Sequence, residues 1–228
     1  MAAVVGWVAF LVSLEVIGSG IVVSSEVDPE TVTSPPDPNA QIAAAIVLQL
    51  ILLVLLLPMV LFDVGHVPAG LVPTEPRTEV ADGARNYLRA VVPTIVALLI
   101  LLPVRDTDSQ HEFLKLLRES PDPLLIGLLA LSAVVLAPAS EELVFRVTLQ
   151  SGLRERFGPR IAIGATAVLF AAVHGWKDGL AILPLSLLLG LEYERRPSYL
   201  AACTTHGLFN GVMLLLAILS PGGPETPG

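Results

Sequence analysis

Seven apolar stretches decide what this chain can fold into, each close to the roughly 20 residues that a bilayer-spanning helix needs. They lie at about 2–23, 40–62, 86–104, 123–150, 161–176, 179–194 and 198–219. The composition agrees, with 54% hydrophobic and only 15% charged residues, where a soluble domain carries about 25% charged residues. The fold expected is all-α: a polytopic membrane helical bundle of about seven transmembrane helices around a buried polar site. At 228 residues the chain makes one compact bundle rather than several independent domains.

The first stretch has no Lys or Arg ahead of its apolar core, which a secretory signal peptide would have, so it reads as a retained anchor helix. Glu15 interrupts it and faces the bundle as a structural polar contact. Residues 24–39 carry Glu26, Asp28, Glu30 and Asp37, four prolines and no basic residue, a helix-breaking acidic loop. A second Pro/Gly-rich loop is expected over 63–85, in which Asp63 and His66 are loop residues lacking a third ligand nearby. Between Asp108 and Glu119, Phe113, Leu114, Leu116 and Leu117 alternate with charges as in a short interfacial helix, with His111 on its polar side. The net charge of −8 speaks against a nucleic-acid partner, which calls for a basic patch. The single cysteine, Cys203, excludes an intrachain disulfide and packs as a small apolar residue. With the N-terminus inside, Arg77, Arg85, Arg89, Arg154, Arg156, Arg160, Arg195 and Arg196 fall on the cytoplasmic side. Arg105, Lys115, Arg118 and Lys177 fall outside, as the positive-inside rule asks.

Within the fourth stretch stand Glu141, Glu142 and Arg146. Charges at membrane depth cost about 2.5–3.5 kcal/mol each on insertion scales and are as a rule functional. Pro138, one turn earlier, is expected to kink the helix, because proline lacks the N–H of a helix hydrogen bond and clashes with the preceding turn. Glu142 and Arg146 are four residues apart, on one face, where a carboxylate and a guanidinium can pair. Glu141 points away from that pair. On the last stretch His206 and Asn210 share a face by the same spacing, as do Phe170 and His174 on the fifth. At 1.5 Å per helical residue, Glu141, His174, His206 and Asn210 lie roughly 18, 20, 12 and 18 Å from the same membrane face. Each element alone has a plainer reading: Glu142–Arg146 as a helix-stabilising pair, His174 as a hydrogen-bonded core histidine, His206 with Asn210 as a helix cross-link. Together they describe a functional polar cavity, for hydrolysis or for a proton relay through Glu15, Glu141 and His174 in a small transporter.

The order and spacing of these residues resemble the three signature motifs of the CPBP (Abi) family, the intramembrane proteases related to the type II CAAX prenyl endopeptidases. Glu-Glu-x-x-x-Arg is matched by Glu141–Arg146, Phe-x-x-x-His by Phe170–His174, and His-x-x-x-Asn by His206–Asn210. Val147 stands where the family commonly has a small residue after the arginine. The resemblance divides the chain into N-terminal helices and loops over 1–120, a CPBP-like catalytic core over 121–220 and a disordered tail over 221–228. It implies an intramembrane endopeptidase that acts on a lipidated or membrane-embedded peptide or protein. In that reading Glu141 activates water, His174 positions it, and His206 and Asn210 form the oxyanion hole. Glu142, Arg146 and Phe170 tune and hold the site. A carboxylate withdrawn from water is the stronger base for such work. No His-Glu-x-x-His pattern occurs, and a metal-free glutamic protease is expected; in a metal-dependent version Glu141, His174 and His206 are the zinc ligands. The alternative is a non-catalytic membrane scaffold or bacteriocin-immunity-type protein on the same fold. The expected partners are membrane lipids and the substrate, and the expected location is the cytoplasmic membrane of a prokaryote.

Overall fold

The structure, a computed structural model, describes residues 38–63, 70–101, 103 and 123–219. The stretch at 2–23 with Glu15, the body of the acidic loop, His66, the interfacial helix with His111 and the tail lie outside the described residues. Six helices fill the described chain: α1 (Pro38–Asp63), α2 (Pro76–Leu101), α3 (123–157), α4 (Pro159–Val173), α5 (Trp176–Arg195) and α6 (Tyr199–Leu219). The fold is all-α, and these helices take up six of the seven expected stretches. Among the described residues, three helical stretches are long and apolar enough to cross a membrane, namely α2, Ile126–Phe157 of α3, and α6.

Four of the helices open on proline, at Pro38, Pro76, Pro123 and Pro159. Proline suits a first helical position, where its missing N–H would have no partner and its fixed φ is already helical. α2 therefore begins nearly three turns deep in what hydropathy assigns to a loop, and the loop expected over 63–85 is shorter than that. Its first turns carry Arg77, Glu79, Asp82 and Arg85 and extend past the apolar zone. Buried Glu79 caps them: its Oε1 accepts the N–H groups of Thr74 (2.9 Å) and Glu75 (3.1 Å), and its Oε2 accepts the Ser198 hydroxyl (2.7 Å). Gly70, at φ +78°, turns the preceding chain so that its carbonyl accepts the Tyr199 N–H (2.8 Å) at the start of α6.

α3 changes pitch along its length. It is α-helical over Pro123–Leu131, π-helical over Ser132–Leu136, α-helical over Ala137–Glu142, π-helical over Leu143–Gln150 and α-helical again over Ser151–Phe157. Side chains support the wide pitch. The Thr148 hydroxyl donates to Leu143 O (2.8 Å) and the Ser151 hydroxyl to Arg146 O (3.2 Å), each five residues back. Pro138, where a kink is expected, stands directly after the first π turn, at the start of the α-helical run Ala137–Glu142.

α4 packs on α5, α2 on both α5 and α6, and α6 on the first π turn of α3, while α1 lies against α3. The shared core contains Leu56, Phe145, Phe170, Leu185, Leu189 and Phe209. The outward faces are apolar as well: Val54 is 67% exposed, Leu88 66% and Ile100 70%. Apolar faces this extensive suit hydrocarbon rather than water, which fits an integral membrane protein.

Candidate functional site

The centre is built where the middle of α3 meets the end of α4 and the middle of α6. Glu142 lies on the buried side of α3 with no exposed side-chain surface. Its Oε1 is 2.9 Å from His206 Nδ1, and its Oε2 is 3.1 Å from Arg146 Nε. Sequence spacing anticipates the pair with Arg146 but not the bond to His206, which joins residues 64 apart in the chain. The pairing is one-armed. Arg146 turns its Nη2 toward α5, donating to the Ser186 hydroxyl at 3.0 Å.

Glu141 occupies a different face. Its Oε2 is 3.8 Å from His174 Nε2 and 3.8 Å from His206 Nε2. Local bonds hold both rings. His174 caps the end of α4, and its Nδ1 lies 2.8 Å from Phe170 O. A carbonyl only accepts, so His174 Nδ1 carries the hydrogen; the ion-paired carboxylate of Glu142 imposes the same on His206 Nδ1. In the neutral rings both Nε2 atoms then present lone pairs toward Glu141. The two rings differ in exposure: the His174 side chain is 33% exposed, that of His206 4% and that of Glu141 15%.

Phe170 is the apolar hub of the site. Its ring lies 4.5 Å from that of His174, 5.7 Å from that of His206 and 5.1 Å from that of Phe145, and the Arg146 guanidinium stands 5.5 Å from its centroid. A cation over an aromatic face is attracted by the ring quadrupole, so Phe170 packs the histidines and helps to hold the arginine. Asn210 sits one turn beyond His206 on α6. Its Nδ2 donates to Ala133 O in the first π turn of α3, at 2.9 Å. α6 comes this close because position 207 is glycine: a Cβ there would run into the carbonyl of Val134.

Behind the centre, α3 and α5 are joined by three rungs. Arg146 reaches Ser186, Gln150 Nε2 reaches Gly190 O (2.9 Å) and Arg154 Nε reaches Glu194 Oε1 (2.7 Å), each pair 40 residues apart. A constant offset with steps of four along both helices means that α3 and α5 run parallel. Ser186 and Gln150 escape a reading of the sequence motifs. Gln150, a polar residue four positions past Arg146 in an apolar run, was the available signal; Ser186 had none.

Glu141, His174 and His206 carry the donor types that zinc takes. Among the described residues, however, no group of three or more His, Cys, Asp or Glu side chains is arranged to hold a metal ion.

Residues 123–212, from the first residue of α3 to the middle of α6, match the family model described as type II CAAX prenyl endopeptidase Rce1-like. This segment is similar to an Rce1-like domain. All seven motif residues, Glu141, Glu142, Arg146, Phe170, His174, His206 and Asn210, lie within the matched segment. The match supports a CAAX-type protease kind of function in a membrane setting, with a peptide or protein as substrate. No curated protein and no solved structure gives a significant match to the chain. α2 lies outside the matched segment yet packs on α5 and α6.

Proposed function

We propose that the chain is an intramembrane endopeptidase that hydrolyses a peptide bond of a lipidated or membrane-embedded substrate, with Glu141 as general base. The observation that carries this reading is the convergence of Glu141 Oε2 with Nε2 of both His174 and His206, at 3.8 Å each, inside the Rce1-like segment. A space bounded by a carboxylate and two ring acceptors suits a water molecule, whose hydrogens need acceptors and whose oxygen must be turned toward a carbonyl carbon.

The steps follow from those positions. Glu141 takes one proton from the water, and the water oxygen adds to the scissile carbonyl carbon. His174 Nε2 accepts the other water hydrogen and so fixes the direction of attack; its hydrogen on Nδ1 is held by Phe170 O. The carbonyl oxygen becomes an oxyanion. The second amide N–H of Asn210 stabilises it. Glu141 then passes its proton to the departing amine as the C–N bond breaks. A positioned general base contributes about 10²–10⁴-fold and an oxyanion donor about 2.7–4 kcal/mol. Glu142, ion-paired with Arg146, holds His206 in register from behind.

Cleavage of a lipidated peptide by the purified protein in detergent tests the reading. Glu141→Ala is expected to reduce turnover by about 10²-fold or more while the protein still purifies as a folded species. Turnover equal to the parent in that variant would remove Glu141 from the role of base.

A further inference from the structure

The first π turn of α3 gives Pro138 a role beyond shaping its own helix. In that turn the Ala137 N–H donates to Ser132 O, five residues back. The next bond of the same register would run from residue 138 to Ala133 O. Proline has no N–H to give, and Pro138 is buried, so Ala133 O lacks a helical donor at that place. Asn210 supplies one, from Nδ2 at 2.9 Å. The approach needs the bare backbone of Gly207 beside Val134 O.

We propose that Pro138 is a positioning residue for Asn210. By withholding a backbone donor, it leaves Ala133 O to capture one amide N–H of Asn210. That capture decides which way the amide faces. With Nδ2 bound at Ala133, its second N–H is fixed in the plane of the same amide group, and the acceptor Oδ1 is held away from the position of Nδ2. An oxyanion needs a donor already aimed when charge develops, and an unrestrained asparagine amide presents its oxygen as readily as its nitrogen. The proposal rests on the reading of Asn210 as an oxyanion donor and extends it to the residue that sets its orientation.

The test is a double-mutant cycle in the peptide cleavage assay, with kcat and KM measured separately and thermal unfolding followed in parallel. Pro138→Ala restores an N–H at position 138 that competes for Ala133 O. It is expected to lower kcat about tenfold or more, to leave KM within about twofold and to leave the unfolding midpoint unchanged or raised. Asn210→Ala is expected to lower kcat about a hundredfold or more. Adding Pro138→Ala to Asn210→Ala is expected to cause no further loss, since both changes act through one amide. Pro138→Ser, which restores the same N–H, gives a second measurement if the alanine variant does not fold. An unchanged kcat in the proline variants overturns the proposal, and so do losses that add across the cycle. Full activity of Asn210→Ala with loss of activity in Glu141→Ala would remove Asn210 as oxyanion donor, and this proposal with it, while leaving Glu141 as base. Full activity of Glu141→Ala would mark failure of the underlying reading instead.

Discussion

Arg146 is the largest side chain fully hidden from solvent among the described residues, and three contacts make its burial tolerable. Glu142 supplies the opposite charge, Ser186 an acceptor and Phe170 an aromatic face. Removing one partner of such a buried pair leaves the other charge uncompensated, at a cost of about 3–5 kcal/mol. Arg146→Leu is therefore expected to lower stability by that amount, read as a fall in the unfolding midpoint of the detergent-solubilised protein. An unchanged midpoint would mean that Glu142 is not held as an ion there. Spacing made the Glu142–Arg146 pair legible, because four residues are one helical step. It could not show the second oxygen of Glu142 on His206 or the guanidinium on Ser186. Those contacts depend on how far each helix is rotated, and a π-helical stretch changes that rotation without leaving a mark in hydropathy.

At the scale of elements, the joint between α3 and α6 is a close backbone approach at the centre. Gly207 lies against Val134 O, Asn210 is bonded to Ala133 O, and the Tyr199 hydroxyl donates to Ala139 O at 2.7 Å. Gly207→Val would force the two backbones apart. The expected loss is about 1–3 kcal/mol, the usual cost of overfilling a packed contact, together with a fall in cleavage rate as His206 and Asn210 move away from Glu141. An undiminished midpoint and rate would show that the helices can part without harm. The apolar interiors of α1 to α6 were readable from the sequence, since each is set by the length that hydrocarbon demands. The start of α2 was not: Arg77 through Arg85 are helical because Pro76 and Glu79 begin and cap the helix, and polar turns beyond the apolar zone are invisible to a measure of hydropathy.

Among the described residues of the whole molecule, ion pairs between helices gather at one end. Arg154 meets Glu194, Arg89 meets Glu192 (3.3 Å) and Arg196 meets Asp82, so the start of α2, the end of α3 and the end of α5 share a face. Exposed Arg160, at the start of α4, belongs to the same end. On the positive-inside rule we propose that this end faces the cytoplasm. Arg160→Cys, made in a Cys203→Ala background, is expected to react with a membrane-impermeant thiol reagent only when the cytoplasmic side is open to it. Labelling from the opposite side in sealed cells would invert the orientation. The unequal exposure of the two histidines has a consequence of its own. The centre has a more open side and a buried one: the His174 ring is the more exposed of the two, while His206 lies buried against Glu142. A change at His174 should then be felt by molecules on their way in, and a change at His206 only by those that have arrived.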